Sequence, residues 1–322
     1  MSSTSFKKIM FAKTEFPTLG VSRDDLMLNR SSRVMALTDY FTDNWTGPYD
    51  FNFSFLLTLD RAADFIYAVM QNRVSQGAVG TGYQKVYKPH SSQPDFTANA
   101  GWFGTFVWVP TDFATSAAVR FTSCICKTLT LEFTKDGTGV ANIVRATGTM
   151  TAKAVTIDQN FTGSGTAQGT TFYKGHDFAV PASGLTLVAS GGDVAFDPNW
   201  SRLSLTIASG AMGLDKNSSG NPVTFFLDSG TNNRASIELW YDTNSKEALY
   251  SARNSSSIIL GLRKGTASTS GYFDIAMRGI ITNDPLGVSG NQMKVPLEIQ
   301  LGDSTAGAAD ACVITMADAI SQ

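Results

Sequence analysis

Apolar and polar residues alternate with a period of two in many short segments of this chain. A clear example is 128–133, where Thr and Glu alternate with Leu and Phe. Similar segments lie at 51–57, 105–109, 202–207, 235–241, 257–262, 271–281 and 293–301. Successive side chains of a strand point to opposite faces of a sheet. The pattern therefore predicts a mainly β protein whose strands have one buried and one solvated face.

Two segments change from this alternation to the spacing of an amphipathic helix. In 51–71, apolar residues recur at helical intervals from Ala62 to Met70, and Asp60 is a candidate N-cap. In 234–253, Asn244 and Glu247 have the spacing of a capping box in front of a short apolar face. Each segment is therefore predicted as a strand followed by a short helix.

The same order of predicted elements occurs twice. The first strand–helix segment is followed by strands near 102–109, 127–134 and 140–152, and the second by strands near 257–262, 271–281 and 293–301. The phrases "SRVMALT" and "SRLSLTI" precede the two series. We interpret this order as an internal duplication.

The duplication defines the predicted domain organisation. We expect an N-terminal arm at 1–30, a first β domain at 31–155, a linker or long loop at 156–190 and a second β domain at 191–322. The segments 72–100 and 153–185 are rich in Gly, Thr and other polar residues, and they are expected to be long loops.

The charged residues of the chain indicate which partners it is expected to bind. Charged residues make up 16% of the chain, against about 25% in an ordinary soluble domain. This predicts a surface rich in Ser, Thr and Asn, or one covered by other copies. The net charge is −2, and no basic run exceeds Lys7-Lys8. Stable binding of nucleic acid needs clustered Lys and Arg, so a DNA-gripping surface is not expected.

The lack of a secretory signal and the odd number of cysteines both predict that the protein is made inside the cell. The chain has no apolar run near the roughly 20 residues that cross a bilayer, and its start lacks the apolar segment of a secretory signal. We therefore expect synthesis in a cytosol and no membrane partner. Cys124 and Cys126 share a face of a predicted strand, where small buried apolar groups are expected.

The sequence offers no catalytic or metal-binding constellation. His90 and His176 lie in predicted loops, and neither a nucleophile elbow nor zinc-ligand spacing is present. Glu132, Glu238 and Glu298 lie on predicted strands, but opposite the apolar positions, where solvated or interface carboxylates are common. We expect a protein that is not an enzyme and that holds no cofactor or metal.

Several phrases of the chain resemble the tail tube proteins of phages with long non-contractile tails. They are "KKIMFAKTEFPTLGV", "FTSCICKTLTLEFTKDGTGVANIVRATG", "DVAFDPNWSRLSLTIASGAMG", "NNRASIELWYDTNSKEALYSA" and "DIAMRGIITNDPLGVSGNQMKVPLEIQL". They depart slightly from the family's usual pattern at 13–15 and at 18–20. They also depart at 123, where this chain has Ser and the family usually has glycine. The resemblance extends over residues 5–302 in the order that the family shows.

This resemblance implies a structural virion protein in the phage tail, made in the bacterial host cytoplasm. In such proteins a β-sandwich with a flanking helix assembles into rings, whose inner sheets join into a barrel and which stack into a tube for DNA ejection. The implied partners are other copies of the chain, the tape-measure protein, the tail terminator and baseplate or tail-tip proteins. DNA passes through the lumen without specific binding.

Candidate residues for the lumen or for contacts between subunits are the polar positions of the predicted strands. They are Thr128, Thr130, Glu132, Ser204, Thr206, Glu238 and Arg278. A near-neutral or acidic lining is expected, because clustered Lys and Arg would hold DNA back. The arm and the two predicted loops are candidates for contacts between rings.

Several alternatives remain open at this point. If each half is one tube domain, a trimer with pseudo-sixfold symmetry is preferred to a hexamer. Another β-rich virion component, such as a capsid decoration or baseplate protein, would show the same alternation. A carbohydrate-binding adhesin would use tryptophans as sugar platforms, and the candidates are Trp45, Trp102, Trp108, Trp200 and Trp240.

Overall fold

A computed structural model gives the structure of this protein for residues 6–7, 11–15, 22–25, 40–43, 49–80, 82–89, 104–108, 118–158, 165–166, 168–181, 184–188, 194–196, 198–216, 222–227, 232–242, 257–267, 269–284, 294–306 and 308–318. Over these ranges the protein is mainly β, as the alternation predicts, and it has one α-helix. The predicted second helix at 244–253 and the phrase at 32–38 lie outside the described residues.

The elements are, in chain order, β1 (Phe6–Lys7), β2 (Phe11–Glu15), β3 (Ser22–Asp25), β4 (Tyr40–Asp43), β5 (Tyr49–Leu56), α1 (Ala62–Met70), β6 (Asn72–Val79), β7 (Gly82–Lys88), β8 (Gly104–Trp108), β9 (Ala118–Thr134), β10 (Arg145–Asp158), β11 (Gly165–Thr166), β12 (Leu185–Val188), β13 (Val194–Phe196), β14 (Trp200–Ala208), β15 (Ala211–Lys216), β16 (Pro222–Leu227), β17 (Arg234–Trp240), β18 (Ser257–Lys264), β19 (Tyr272–Ile281), β20 (Lys294–Leu301) and β21 (Cys312–Asp318). Short 3-10 turns occupy Gly139–Asn142 and Gly175–Asp177.

Fifteen of the described strands form one antiparallel sheet that includes both halves of the chain. Its main path is β13-β12-β18-β19-β20-β17-β14-β9-β10-β5-β2. Four strands lie beside this path: β8 pairs with β9, β21 with β19, β7 with β21, and β6 with β7. The halves meet where β14 pairs with β9, from Arg202 opposite Thr134 to Ala208 opposite Thr128. The sheet is therefore continuous across the predicted duplication.

The order of strands within the sheet occurs twice. In the first half, β5, β10, β9 and β8 are neighbours in that order, and in the second half β17, β20, β19 and β18 follow the same order. On the outer side of β5 lies β2, and on the corresponding side of β17 lies β14. The two series that the sequence predicts thus have the same pairing pattern in the fold.

Helix α1 lies against the apolar face of this sheet. The ring of Phe65 packs on Phe53 and Phe55, with centroids 5.2 and 4.3 Å apart. The predicted cap at Asp60 is wrong, because the helix begins after Arg61 and makes no side-chain capping bond. The Asp60 carboxylate instead accepts the backbone N–H of Gly169, at 2.9 Å. The Asp60 carboxylate, which the local pattern assigned to the helix N-terminus, is therefore used in a long-range hydrogen bond.

The segments predicted as loops contain much of the structure. Strands β6 and β7 form a hairpin within 72–100, and β7 joins it to the second half through β21. The strand β10 extends to Asp158, and β12 lies within 156–190. The prediction of long loops was wrong for 72–79, 82–88 and 153–158, since Gly- and Thr-rich composition does not show which strand a segment will join.

Part of the predicted linker or long loop at 156–190 packs in the core. Tyr173 and Phe178 are buried in the hydrophobic cluster that both halves share. Their rings contact Phe273 and Phe133 respectively, with centroids 5.0 and 4.9 Å apart. The segment therefore contributes to the core. Part of the predicted N-terminal arm is likewise a sheet strand, because β2 pairs with β5.

Gly148 of β10 lies at a close approach between strands. A Cβ atom there would lie 2.1 Å from the backbone oxygen of Thr128 and 2.9 Å from Cζ of Phe53. We expect Gly148→Ala to lower the free energy of unfolding by about 1–3 kcal/mol, because a packed strand must move to make room. Urea unfolding of the purified protein measures this. Gly302→Ala is the matched control, since nothing lies within 4 Å of its Cβ position. Equal effects of the two changes would contradict the packing argument.

Candidate functional site

The seven candidate residues all lie on one face of the continuous sheet. Thr128, Thr130 and Glu132 alternate with buried Leu and Phe on β9, and Ser204 and Thr206 do so on β14. Glu238 of β17 lies opposite Arg202, on the same face. Arg278 shares this face on β19, because Ile280, two residues on, lies opposite Gln300 of β20. We call this surface the polar face.

Residues on the polar face form rows that cross several strands in register. One row contains Ser54, Thr147, Thr130, Thr206, Arg234, Gln300 and Ile280. Hydroxyl and amide groups link neighbours across the strands. The hydroxyls of Thr130 and Thr206 are 2.9 Å apart, and Ser236 donates to Glu298 at 2.7 Å. Such cross-strand hydrogen bonds favour this register over a slipped one.

Five cations of the polar face lie beside a carboxylate. The pairs are Lys127 with Asp50 at 2.9 Å, Arg202 with Glu132 at 3.1 Å, Arg263 with Asp274 at 2.7 Å and Lys294 with Glu238 at 3.5 Å. Arg278 lies 3.7 Å from Asp310. Exposed pairs of this kind add little stability, about 1 kcal/mol at most. Their effect is electrostatic, since each of these cations has a carboxylate close by.

Lys294 of β20 connects the two halves of the chain at one end of the polar face. Its ammonium contacts Asp136, in the β9–β10 connection, and Glu238 of β17. It also lies 4.4 Å from the ring centroid of Trp240. The hydrogen bond with Asp136 raises the pKa of Lys294, and the nearby carboxylates add to this effect while desolvation opposes it.

The three strand carboxylates named in the search for a catalytic site each have a separate partner. Glu132 binds Arg202, the Glu238 carboxylate accepts the Ser201 hydroxyl, and Glu298 accepts from Ser236. In the register, two strands separate Glu132 from Glu298. The three groups therefore belong to the cross-strand contacts of the polar face.

The cysteines and the described histidine lie in packing or hydrogen-bonding environments. Cys124, Cys126 and Cys312 are buried, which confirms the predicted burial of the first two. Burial raises the pKa of Cys124 and of Cys312 to about 12, and it also raises that of Cys126. His176 contacts Asn142 and lies 3.2 Å from Asp177, whereas His90 lies outside the described ranges. The described residues include no group of three or more His, Cys, Asp or Glu placed to hold a metal ion.

Sequence reasoning missed several members of the polar face. They are Asn52, Ser54, Arg145, Thr147, Thr149, Arg202, Arg234, Ser236, Lys294 and Gln300. The alternation in 50–56 contained a signal for Asn52 and Ser54. In β10 the facing positions alternate with Ala and Gly, so the contrast with the polar residues is weak.

Comparison with known proteins adds no assignment: no family model matches the chain, and no curated protein matches it. In the part of the chain that the structure covers, no helix has the length and apolar character needed to span a membrane.

The contacts of Lys294 predict a pH-dependent contribution to stability. A lysine whose pKa is raised by folding stabilises fully below its ordinary value of 10.5, and this contribution is lost as the pH rises through the folded-state pKa. We expect Lys294→Met to cost about 0.5–1 kcal/mol at pH 7 and less above pH 10.5. Denaturant unfolding at pH 7 and in alkaline buffer measures the difference. The exposed Lys174 provides the control Lys174→Met. If Lys294→Met lowered the free energy of unfolding equally at pH 7 and in alkaline buffer, the contacts of the charged Lys294 would not be the source of this stability.

Proposed function

We propose that this protein is the subunit of a phage tail tube of the long non-contractile type, and that it assembles into stacked rings around a channel for DNA. The observation that carries the proposal is the presence of two blocks of strands in the same order, β5-β10-β9-β8 and β17-β20-β19-β18, in one sheet. The two blocks are joined side by side through β9 and β14. A chain that already joins two such blocks by their edges contains the contact from which a ring can be built.

The two faces of the sheet support this arrangement. One face is covered by α1 and the common core, whereas the other carries the polar rows. A sheet with open edges is prone to pair with further strands, and closure into a barrel removes its edges. In the proposed ring the polar face lines the channel. With two blocks per chain, three chains supply six, which favours a trimer with pseudo-sixfold symmetry over a hexamer.

The electrostatics of the polar face suit passage of DNA without retention. Binding to phosphates gains its free energy from unopposed Lys and Arg that displace counterions. Here Lys127, Arg202 and Lys294 each lie beside a carboxylate, and hydroxyl groups separate the charged pairs. In the proposed channel, a phosphate backbone therefore meets mixed charge.

The proposed role in a tail tube implies where the protein is located and which proteins it binds. The subunit is made in the host cytoplasm and resides in the virion tail, with no membrane partner. The tape-measure protein occupies the channel before ejection, and the tail terminator and baseplate or tail-tip proteins bind the two ends of the tube. The tube makes and breaks no covalent bond, so the proposal includes neither catalysis nor a cofactor.

The adhesin alternative gains less support from the structure. Trp200 is buried in the core, and Trp240 lies beneath Lys294, so neither ring forms an open platform for a sugar. Trp108 at the end of β8 is 41% exposed. Trp45 and Trp102 lie outside the described residues.

Assembly of the purified protein tests the proposed function directly. We expect negative-stain electron microscopy of the concentrated protein to show rings or hollow tubes with a central channel, because edge pairing closes the sheet. The count of repeats around the ring distinguishes three chains from six. A protein that stays monomeric at every concentration and binds glycans would overturn the proposal.

Labelling of a single cysteine tests which face lines the channel. In Thr206→Cys, the new thiol lies on the polar face, while the three native thiols are buried. We expect isolated subunits to react with both a small and a polymer-linked maleimide. Tubes should react with the small reagent but only slowly with the polymer, because the channel excludes it. Unchanged reaction of assembled tubes with the polymer would place the polar face outside.

A further inference from the structure

The position of β14 between two partners suggests a role for its counterpart β2. Both strands lie beside the first strand of a block, β2 beside β5 and β14 beside β17. Both have a register shift at the start, between Phe11 and Lys13 in β2 and between Trp200 and Arg202 in β14. However, β14 pairs on its second edge with β9, whereas β2 has β5 as its one partner within the described residues.

The backbone of β2 presents hydrogen-bonding groups along this second edge. The N–H of Leu57 binds the carbonyl of Val144, on the β10 side of β5. Backbone groups of successive residues point to opposite edges of a strand, so those of Ser54 and Asn52 point towards β2. Their partners in the register are Lys13 and Glu15, which therefore face β5. Thr14, between them, directs its N–H and carbonyl away from β5.

A complementary edge lies at the other end of the two blocks. The strand β19 is the counterpart of β9, and β18 pairs with it as far as Gly279, while β20 continues to Ile281. The N–H groups of Arg278 and Thr282 face the side of β21 and β20, where they bind Ala311 and Glu298. The backbone groups of Ile281 therefore face the opposite side, beyond the last described pair with β18. In the first block, this side of β9 is where β14 pairs.

We propose that β2 of one copy pairs antiparallel with β19 of the next copy, beyond Gly279, and so repeats between chains the contact that β9 and β14 make within one chain. This inference rests on the proposed ring and names the strands that join its subunits. The contact is head-to-tail, since it uses two different edges, and such contacts form a closed ring where the rotation permits. The partner is a second copy of this chain.

Proline substitutions on the two edges test this assignment. Thr14→Pro removes an N–H that faces the proposed partner and leaves the bonds of Lys13 and Glu15 to β5 in place, and proline is tolerated at such edge positions. Ile281→Pro removes the corresponding N–H of β19 without touching the bonds to β20. Thr14→Ala and Ile281→Val keep both N–H groups and are the matched controls. Circular dichroism and thermal unfolding check that each variant folds.

We expect each proline variant alone to stay monomeric by native mass spectrometry, at concentrations about tenfold above those at which the wild type and the controls assemble. Mixed together, the two variants should form dimers and no rings, because one intact edge of each remains. Excess Thr14→Pro should also stop ring closure by the wild type, a readout that does not need the second variant.

The outcomes separate this inference from the proposed function. Rings formed by folded Thr14→Pro alone, or an equal mixture of folded variants without dimers, would overturn the edge assignment and leave the tube proposal in place. A wild-type chain that never self-associates would overturn both.

Discussion

The antiparallel contact between β9 and β14 is the interaction on which the rest of this structure depends. It joins two blocks of the same strand order into one sheet, from Thr134 opposite Arg202 to Thr128 opposite Ala208. Side chains alternate along both strands, so the register decides which residues meet on each face. A slip by one residue would place the polar residues of β14, including Ser204 and Thr206, against the core.

The polar face follows from this register. Residues far apart in the chain, such as Thr130 and Thr206 or Glu132 and Arg202, become neighbours only because the blocks are in phase. Each such pair adds little stability by itself. Together they produce a broad surface of hydroxyl groups and balanced charge, which is the property that the proposed channel requires. The low charged fraction of the chain is consistent with burial of further surface between copies.

The same contact gives a physical account of how two blocks of the same strand order can build the proposed ring. An edge strand that pairs on one side exposes unpaired backbone groups on the other, and a monomer must protect or use them. The joint between β9 and β14 uses one such pair of edges within the chain. In the proposed ring, β2 and β19 use the equivalent pair between chains, so every joint around the ring has the same geometry.

The sequence by itself determined the β class, the positions of most of the long strands, helix α1 and the polar residues that share a face. These features depend on local periodicity, which records the side of a strand on which each residue lies. Only the tertiary structure decided the pairing of β9 with β14, the hairpin of β6 and β7 beside β21, and the burial of Tyr173 and Phe178. It also brought Lys294 to Asp136 and directed Asp60 to Gly169. Periodicity carries no information about which strand lies alongside, because that choice depends on contacts between residues distant in the chain.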